Sequence, residues 1–178
     1  MSTELRIELV PPHHPLPWRL LLMADPSRTA IKKYIDRSLL YLAFEYDMPI
    51  GALALLPQDE TQAEIVNLAV DPDRQGQGVG QALIRTAIAD ARTRGIREIH
   101  VATGNSSLEA LALYQKTGFR LARIEPDYFP AQYPEPIYEH GIWCRDRVWL
   151  VNHIDEPDQP IKPTGSGRIS PVSDNPGF

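Results

Sequence analysis

The sequence predicts an α/β fold: a mixed, largely antiparallel central sheet of about six to seven strands with helices on both faces. Three observations carry this expectation. Apolar runs in the first third are joined by short polar turns, as in a β-meander. From about residue 62 to 125 strand-like and helix-like periodicities alternate, which requires helices lying against a sheet. A glycine-rich turn, Gln75-Gly76-Gln77-Gly78-Val79-Gly80, separates an apolar strand from an amphipathic helix.

Residues 4–10 alternate in polarity and read as a first strand, before a proline-rich entry at 11–17. Helical segments are expected on either side of Asp25-Pro26-Ser27, with Ser27 as N-cap of the helix carrying Ile31, Tyr34 and Ile35. Strands follow at 39–46 and 50–56, joined in a hairpin by Asp47-Met48-Pro49. A polar turn at 58–61 leads to the strand holding Ile65, Val66, Leu68 and Val70, which Asp71-Pro72-Asp73 breaks. Leu83, Ile84, Ala87, Ile88 and Ala91 then recur at helical spacing up to a stop at Gly95. A strand at 96–103, a helix at about 106–117 closed by Gly118, and a strand at 119–124 come next. A long proline- and tyrosine-rich connection, 126–140, precedes a last strand at 142–151.

Length and composition fit one domain over residues 1–154. With 178 residues, 43% of them hydrophobic, the chain can bury a sizeable core without a second domain or a metal staple, and no metal ligands are assigned. Residues 155–178 carry five prolines and few large apolar residues, and read as an extended or disordered tail. The single cysteine, Cys144, rules out an intrachain disulfide and reads as a core or sheet-face thiol rather than a nucleophile. With no signal peptide and no long apolar span, the expected location is cytoplasmic, away from a membrane. A formal charge of -5 disfavours nucleic acid as partner and suits a cationic substrate better.

The turn at 75–80 has the makings of a phosphate cradle. Its glycines permit backbone conformations closed to other residues and let a diphosphate approach, while the unpaired amides at the following helix start attract negative charge. Taken alone it also fits a tight strand-to-helix turn that binds nothing. The Gly-Lys-Ser/Thr ending of a P-loop is absent, and Gly76-x-Gly78-x-Gly80 lacks the spacing of a dinucleotide fingerprint.

Read together with Ile99 to Phe119, the turn resembles the GNAT superfamily of N-acetyltransferases. Gln75-x-x-Gly78-x-Gly80 is similar to that family's signature for the pyrophosphate of acetyl-CoA, and Tyr114 with Gly118-Phe119 is similar to its later helix and exit strand. The likeness is best over residues 38–125, and the segments 21–27 and 141–146 look like those of a small bacterial subgroup of unassigned substrate. The resemblance implies acetyl-CoA as cofactor. Leu68, Ala69 and Val70 would offer backbone groups to the pantetheine arm, with the Leu68 or Val70 amide as oxyanion donor, and Gln75, Gly76, Gln77, Gly78, Val79 and Gly80 would hold the diphosphate. Asn105 and Ser107, beside a helix start, would either contact CoA or cap the helix. Asn67, which interrupts an apolar run, suits a bulge in the strand before the cradle.

The implied reaction is direct transfer of an acetyl group, in a ternary complex, to a primary amine of a small molecule or peptide. Tyr114 stands where family members place the proton donor for the departing thiolate; a core aromatic is its other reading. Glu64 is the candidate general base, with His100 as the other option. In the 126–140 segment, Asp127, Tyr128 and Glu139 are candidate acceptor contacts if it forms a lid that boxes a cation with its tyrosines and carboxylates; otherwise it is a stiff surface loop. The second function class is a non-catalytic acyl-CoA sensor or interaction module of the same fold. Family habit also implies a possible homodimer through the last strand or the tail.

Overall fold

The computed structural model describes residues 5–154; the expected tail at 155–178 lies outside the described residues. The chain begins with β1 (Leu5–Leu9), α1 (Trp18–Ala24) and α2 (Arg28–Lys32), followed by a 3-10 turn over Ile35–Arg37. A meander of β2 (Leu39–Glu45), β3 (Met48–Pro57) and β4 (Gln62–Val70) leads into α3 (Val79–Thr93). Next come β5 (Glu98–Gly104), α4 (Leu108–Lys116), β6 (Arg120–Glu125), α5 (Tyr128–Gln132), β7 (Ile137–Glu139), β8 (Ile142–Cys144) and β9 (Arg147–His153).

Seven strands form one sheet in the order β1-β2-β3-β4-β5-β9-β6, and β7 with β8 makes a separate hairpin. All neighbours in the large sheet are antiparallel except β4 and β5, whose connection runs through α3. The sheet has an apolar core on each face. Leu83, Ile84, Ala87 and Ile88 of α3 pack with Tyr41, Leu53, Ile65, Ile99 and Leu150 on one side. On the other, Leu20 and Leu21 of α1 and Ile31 of α2 cover Leu42, Ala52 and Ala54. Ser27 caps α2 as its type and position predict, accepting a hydrogen bond from the Ala30 amide at 3.2 Å. Gly51 is required where α3 crosses β3: a Cβ there would lie 2.9 Å from a Leu83 methyl carbon.

Two expectations are corrected. The last strand is not continuous over 142–151; it is interrupted at Arg145-Asp146, with β8 pairing to β7 while β9 joins the large sheet. The cause is Asn105, whose Oδ1 accepts from both the Arg145 and Asp146 amides at 2.9 Å and so gives the turn's donors a partner the ladder would otherwise supply. The connection at 126–140 is not structureless either. It holds α5 and β7, and β7 pairs with β8 to form a small flap at the end of β5. Cys144 is buried there, where a Cβ on Gly104 would stand 2.6 Å from its sulfur.

Candidate active site

The site begins where the only parallel pair of the large sheet comes apart. β4 and β5 are in register from Gln62 with Glu98 to Ile65 with Val101, and their pairing stops there although β4 continues to Val70 and β5 to Gly104. A bulge on β4 coincides with this split. Against β3, Ala54 faces Asn67 and Leu55 faces Ile65, so Val66 is the extra residue. Val66 packs with the α1/α2 core and Asn67 bonds to groups on the same side. Asn67 is 3% exposed, and its amide nitrogen donates to the Leu21 carbonyl and the Tyr34 hydroxyl, both at 3.0 Å. Its Oδ1 has no partner among the described residues.

The amide of Asp71 donates to the Ile50 carbonyl of β3 at 2.8 Å. Because backbone groups alternate along a strand, the N–H groups of Leu68 and Val70 point the other way, toward the split. Beyond Val70 a short 3-10 turn, Pro72–Arg74, turns the chain into the cradle, with Asp71 accepting from the Asp73 amide and pairing with Arg19 at 2.7 Å. Gly76 and Gly78 adopt φ of 72° and 85°, which glycine takes without strain, and a Cβ on either would meet no atom within 4 Å. Gly78 is the N-cap of α3 and no side chain caps it. The first intrahelical bond runs from Ala82 to the Gly78 carbonyl, so the amides of Val79, Gly80 and Gln81 are presented outward at the positive end of a 15-residue helix. Gly80 packs closely on α4, since a Cβ at this position would come within 3.2 Å of a Leu113 methyl carbon.

A cleft of about 500 Å³ joins these parts. It runs from Gln75, Gly76 and Gly78 past Gly80 and Leu113 to Leu68, Val70 and Tyr114. The Tyr114 side chain is 7% exposed, its ring packs 5.8 Å from that of Phe119, and its hydroxyl makes no hydrogen bond to another described residue. Burial pushes its phenol up to about 12, so it stays protonated at neutral pH. Arg74 and Lys116 also border the cleft and were not foreseen from sequence, though cations beside a phosphate cradle are the signal that could have found them. Arg74 is held by Glu45, to which its Nε donates at 2.9 Å.

Glu64 lies at the root of the split, in register with His100, on the face opposite α3. It is half-buried and accepts from Gln58 at 3.2 Å. Desolvation raises its proton affinity, while Arg147, His100 and Arg123 pull it back. Other expected residues have their side chains engaged in local contacts. Ala69 turns its side chain to the α1/α2 core. Gln75 donates to the Val70 carbonyl at 3.1 Å and Gln77 to the Asp73 carbonyl at 2.9 Å, bracing the cradle. Asn105 pins the β8–β9 turn, and Ser107, although at the N-cap of α4, gives its hydroxyl to Glu139 at 2.9 Å instead of capping. Neither borders the cleft. Glu139 also accepts from the buried Ser106 at 2.6 Å, Asp127 is tied to Arg145, and the ring of Tyr128 already holds the Arg147 guanidinium at 3.6 Å. These three residues therefore do not form an open cation box.

The family model of the acetyltransferase (GNAT) family matches residues 7–119. The chain belongs to the GNAT acetyltransferase family. This acetyltransferase is 42% identical over 147 residues to the uncharacterized N-acetyltransferase YvbK of Bacillus subtilis (strain 168), covering 83% of this chain and 95% of that one. An IAA acetyltransferase from Bacillus cereus ATCC 14579 is 43% identical and superposes with a TM-score of 0.77 over 84% of this chain and 99% of that one. A GNAT family acetyltransferase from Elizabethkingia anophelis with acetyl-CoA bound is 39% identical, with a TM-score of 0.79 over 85% and 99% of the two chains. Acetyl-CoA fits the present residues: outward amides and glycines for a diphosphate, an unpaired strand edge for an amide-bearing arm, and a cleft long enough to join them.

Proposed function

We propose that this acetyltransferase moves an acetyl group from acetyl-CoA directly to a primary amine of a small molecule or peptide, with both substrates bound together. One observation carries the reading: a single cleft connects the free amides at the start of α3 to the Leu68 and Val70 amides and the Tyr114 hydroxyl. The diphosphate is held by Gly76 to Gly80 and the helix start, with the side chains of Gln75 and Gln77 bracing that turn. The bound thioester supplies an already activated acetyl group, so the protein's part is to position, to polarise and to move protons. The amine arrives from the α1/α2 side, where Glu64 takes its proton, directly or through a water, as the C–N bond forms. The N–H of Leu68 or Val70 stabilises the oxygen that gains negative charge. The C–S bond then breaks, and the Tyr114 hydroxyl donates to the departing sulfur. A phenol held near 12 serves best as a hydrogen-bond donor, since complete transfer to a thiolate of ordinary affinity, about 8.5, runs uphill.

The test is release of free thiol from acetyl-CoA in the presence of a panel of primary amines. Steady, amine-dependent release is expected. A protein that binds CoA tightly and acylates none of them is instead the sensor or interaction module.

A further inference from the structure

α1 and α2 cover β2 to β4 on one face of the sheet, and do not extend over the β5-β9-β6 part of that face, which α5 meets through Tyr128 on Arg147. Here the residues opposite the core-facing Ile99, Val101, Val148 and Leu150 are His100, Ala102, Arg147 and Trp149, all half-buried. Arg123 and Glu125 join them from β6, in register with Trp149 and Arg147.

These side chains are stacked into a ladder. The Arg123 guanidinium lies 4.6 Å from the Trp149 ring centroid, Arg147 lies 5.0 Å from the same ring, and Arg147 is also 3.6 Å from the ring of Tyr128 on α5. Glu125 fixes the arrangement from one side. It accepts from Trp149 Nε1 at 2.9 Å, from Arg147 Nε at 2.7 Å, and from Arg123. Two guanidiniums thus share one carboxylate, and the ladder keeps one positive charge that no described carboxylate pairs within 4 Å. Each guanidinium has five N–H donors in a planar fork, and Glu125 engages only part of each.

Position gives the ladder its meaning. Trp149 is in register with Ala102 and Arg147 with Gly104, so both lie beside the part of β5 that has separated from β4. Paired strands are about 4.8 Å apart and β4 has parted from β5 at this level, so β9 stands more than about 10 Å from the β4 edge where the acetyl group would be held. An amine taken at the split, next to Glu64, would reach the ladder if its remaining atoms extended over β5 and β9.

We propose that the acceptor carries a carboxylate near its amine, and that Arg147 and Arg123, held on Trp149 and Tyr128, bind that carboxylate through their free N–H edges. The proposal rests on the acetyl-transfer reading and narrows its substrate class to amino acids, short peptides and related amino carboxylates. It reverses the expectation of a cationic acceptor drawn from the net charge, because two guanidiniums that share Glu125 lie beside the split, where Glu64 is taken up with the amine itself. Pairing of a guanidinium with a carboxylate is charge-assisted and geometrically selective.

The experiment is calorimetric titration of the CoA-saturated enzyme with 4-aminobutanoate, 6-aminohexanoate, L-phenylalanine and glycylglycine, each beside its primary amide, followed by thiol release with acetyl-CoA. At least one acid is expected to bind tenfold or more tightly than its amide, about 1.4 kcal/mol. That preference is expected to fall to near unity in Arg147→Gln and Arg123→Gln, while acetyl-CoA affinity stays as in wild type. Arg123 is the more exposed of the two, so Arg123→Gln keeps the test open should Arg147→Gln fail to fold. Amides that bind as well as acids in every pair, or a preference that survives both substitutions, overturn the proposal. Failure of this kind with amine-dependent thiol release intact leaves the acetyl-transfer reading standing, whereas loss of acetyl-CoA binding in wild type removes both.

Discussion

Replacing Tyr114 by Phe separates a chemical from a structural role for the buried phenol. The hydroxyl has no hydrogen-bond partner among the described residues, so its removal leaves no donor or acceptor orphaned, and the ring keeps its packing against Phe119. Stability at neutral pH should therefore be unchanged or slightly higher. Turnover should fall by about a hundredfold or more, the order expected for loss of one donor aimed at developing negative charge. Alkaline unfolding supplies an independent magnitude. The folded phenol titrates near 12 against 10 for the free side chain, so its stabilising contribution is complete below about pH 10 and is lost as pH rises toward 12. Two units correspond to about 3 kcal/mol. Urea unfolding from pH 9 to 12 should show that extra loss in wild type and not in Tyr114→Phe. A variant with wild-type turnover on a competent acceptor would refute the donor role, and equal alkaline losses in the two proteins would refute the burial argument.

Glu64→Gln should lower kcat by about 10²- to 10⁴-fold, the span of a positioned general base, without changing acetyl-CoA affinity. In wild type, kcat/KM should decline on acidification with a midpoint above the ordinary glutamate value of 4.5, and the variant should lack that limb. The same raised affinity means that the stability contributed by this carboxyl is complete below its unfolded pKa and lost as pH rises through the folded value, so Glu64→Gln should gain stability near neutrality. Asn67→Leu deletes two hydrogen bonds and leaves the Tyr34 hydroxyl without its Asn67 donor, while the Leu21 carbonyl keeps its bond from the Asp25 amide at 3.1 Å; the loss is offset in part by removing an oxygen that is itself unpartnered. A net loss of about 2 kcal/mol, or a Tm lower by roughly 4–8 °C, is expected by calorimetry.

The elements that sequence disclosed are those whose signals are local. Ser27 before a helix, the polar turns of the meander, and the strand-glycine-helix passage around Gly78 each announce themselves within a few residues. Asn67, an amide amid Val66, Leu68 and Val70, pointed to the bulge, although the extra residue is its neighbour Val66 and Asn67 itself ties the strand to α1 and Tyr34. The point at which β4 and β5 part was not legible, because it depends on strands joined through a whole helix. Nor was the arginine ladder, whose members come from β6, α5 and β9 and meet only through sheet register. Asp127 and Glu139 were singled out as charges for a cation box, and folding gives each a local partner, Arg145 for one and the Ser106 and Ser107 hydroxyls for the other. Under the carboxylate proposal net charge is a poor guide to the acceptor, because it sums over the whole chain and not over the few groups beside the split.

The central claim is that the turn at Gly76 to Gly80 and the start of α3 hold the diphosphate of acetyl-CoA, and calorimetry of wild type beside Gly78→Glu tests it most directly. Glutamate at this position, with φ at 85° and open space before it, puts bulk and negative charge where the diphosphate is to sit. The account predicts micromolar or tighter binding of CoA and acetyl-CoA by wild type, abolished in a variant whose circular dichroism shows it folded. Folded wild type that binds neither ligand, or a Gly78→Glu protein that binds them unchanged, would contradict it.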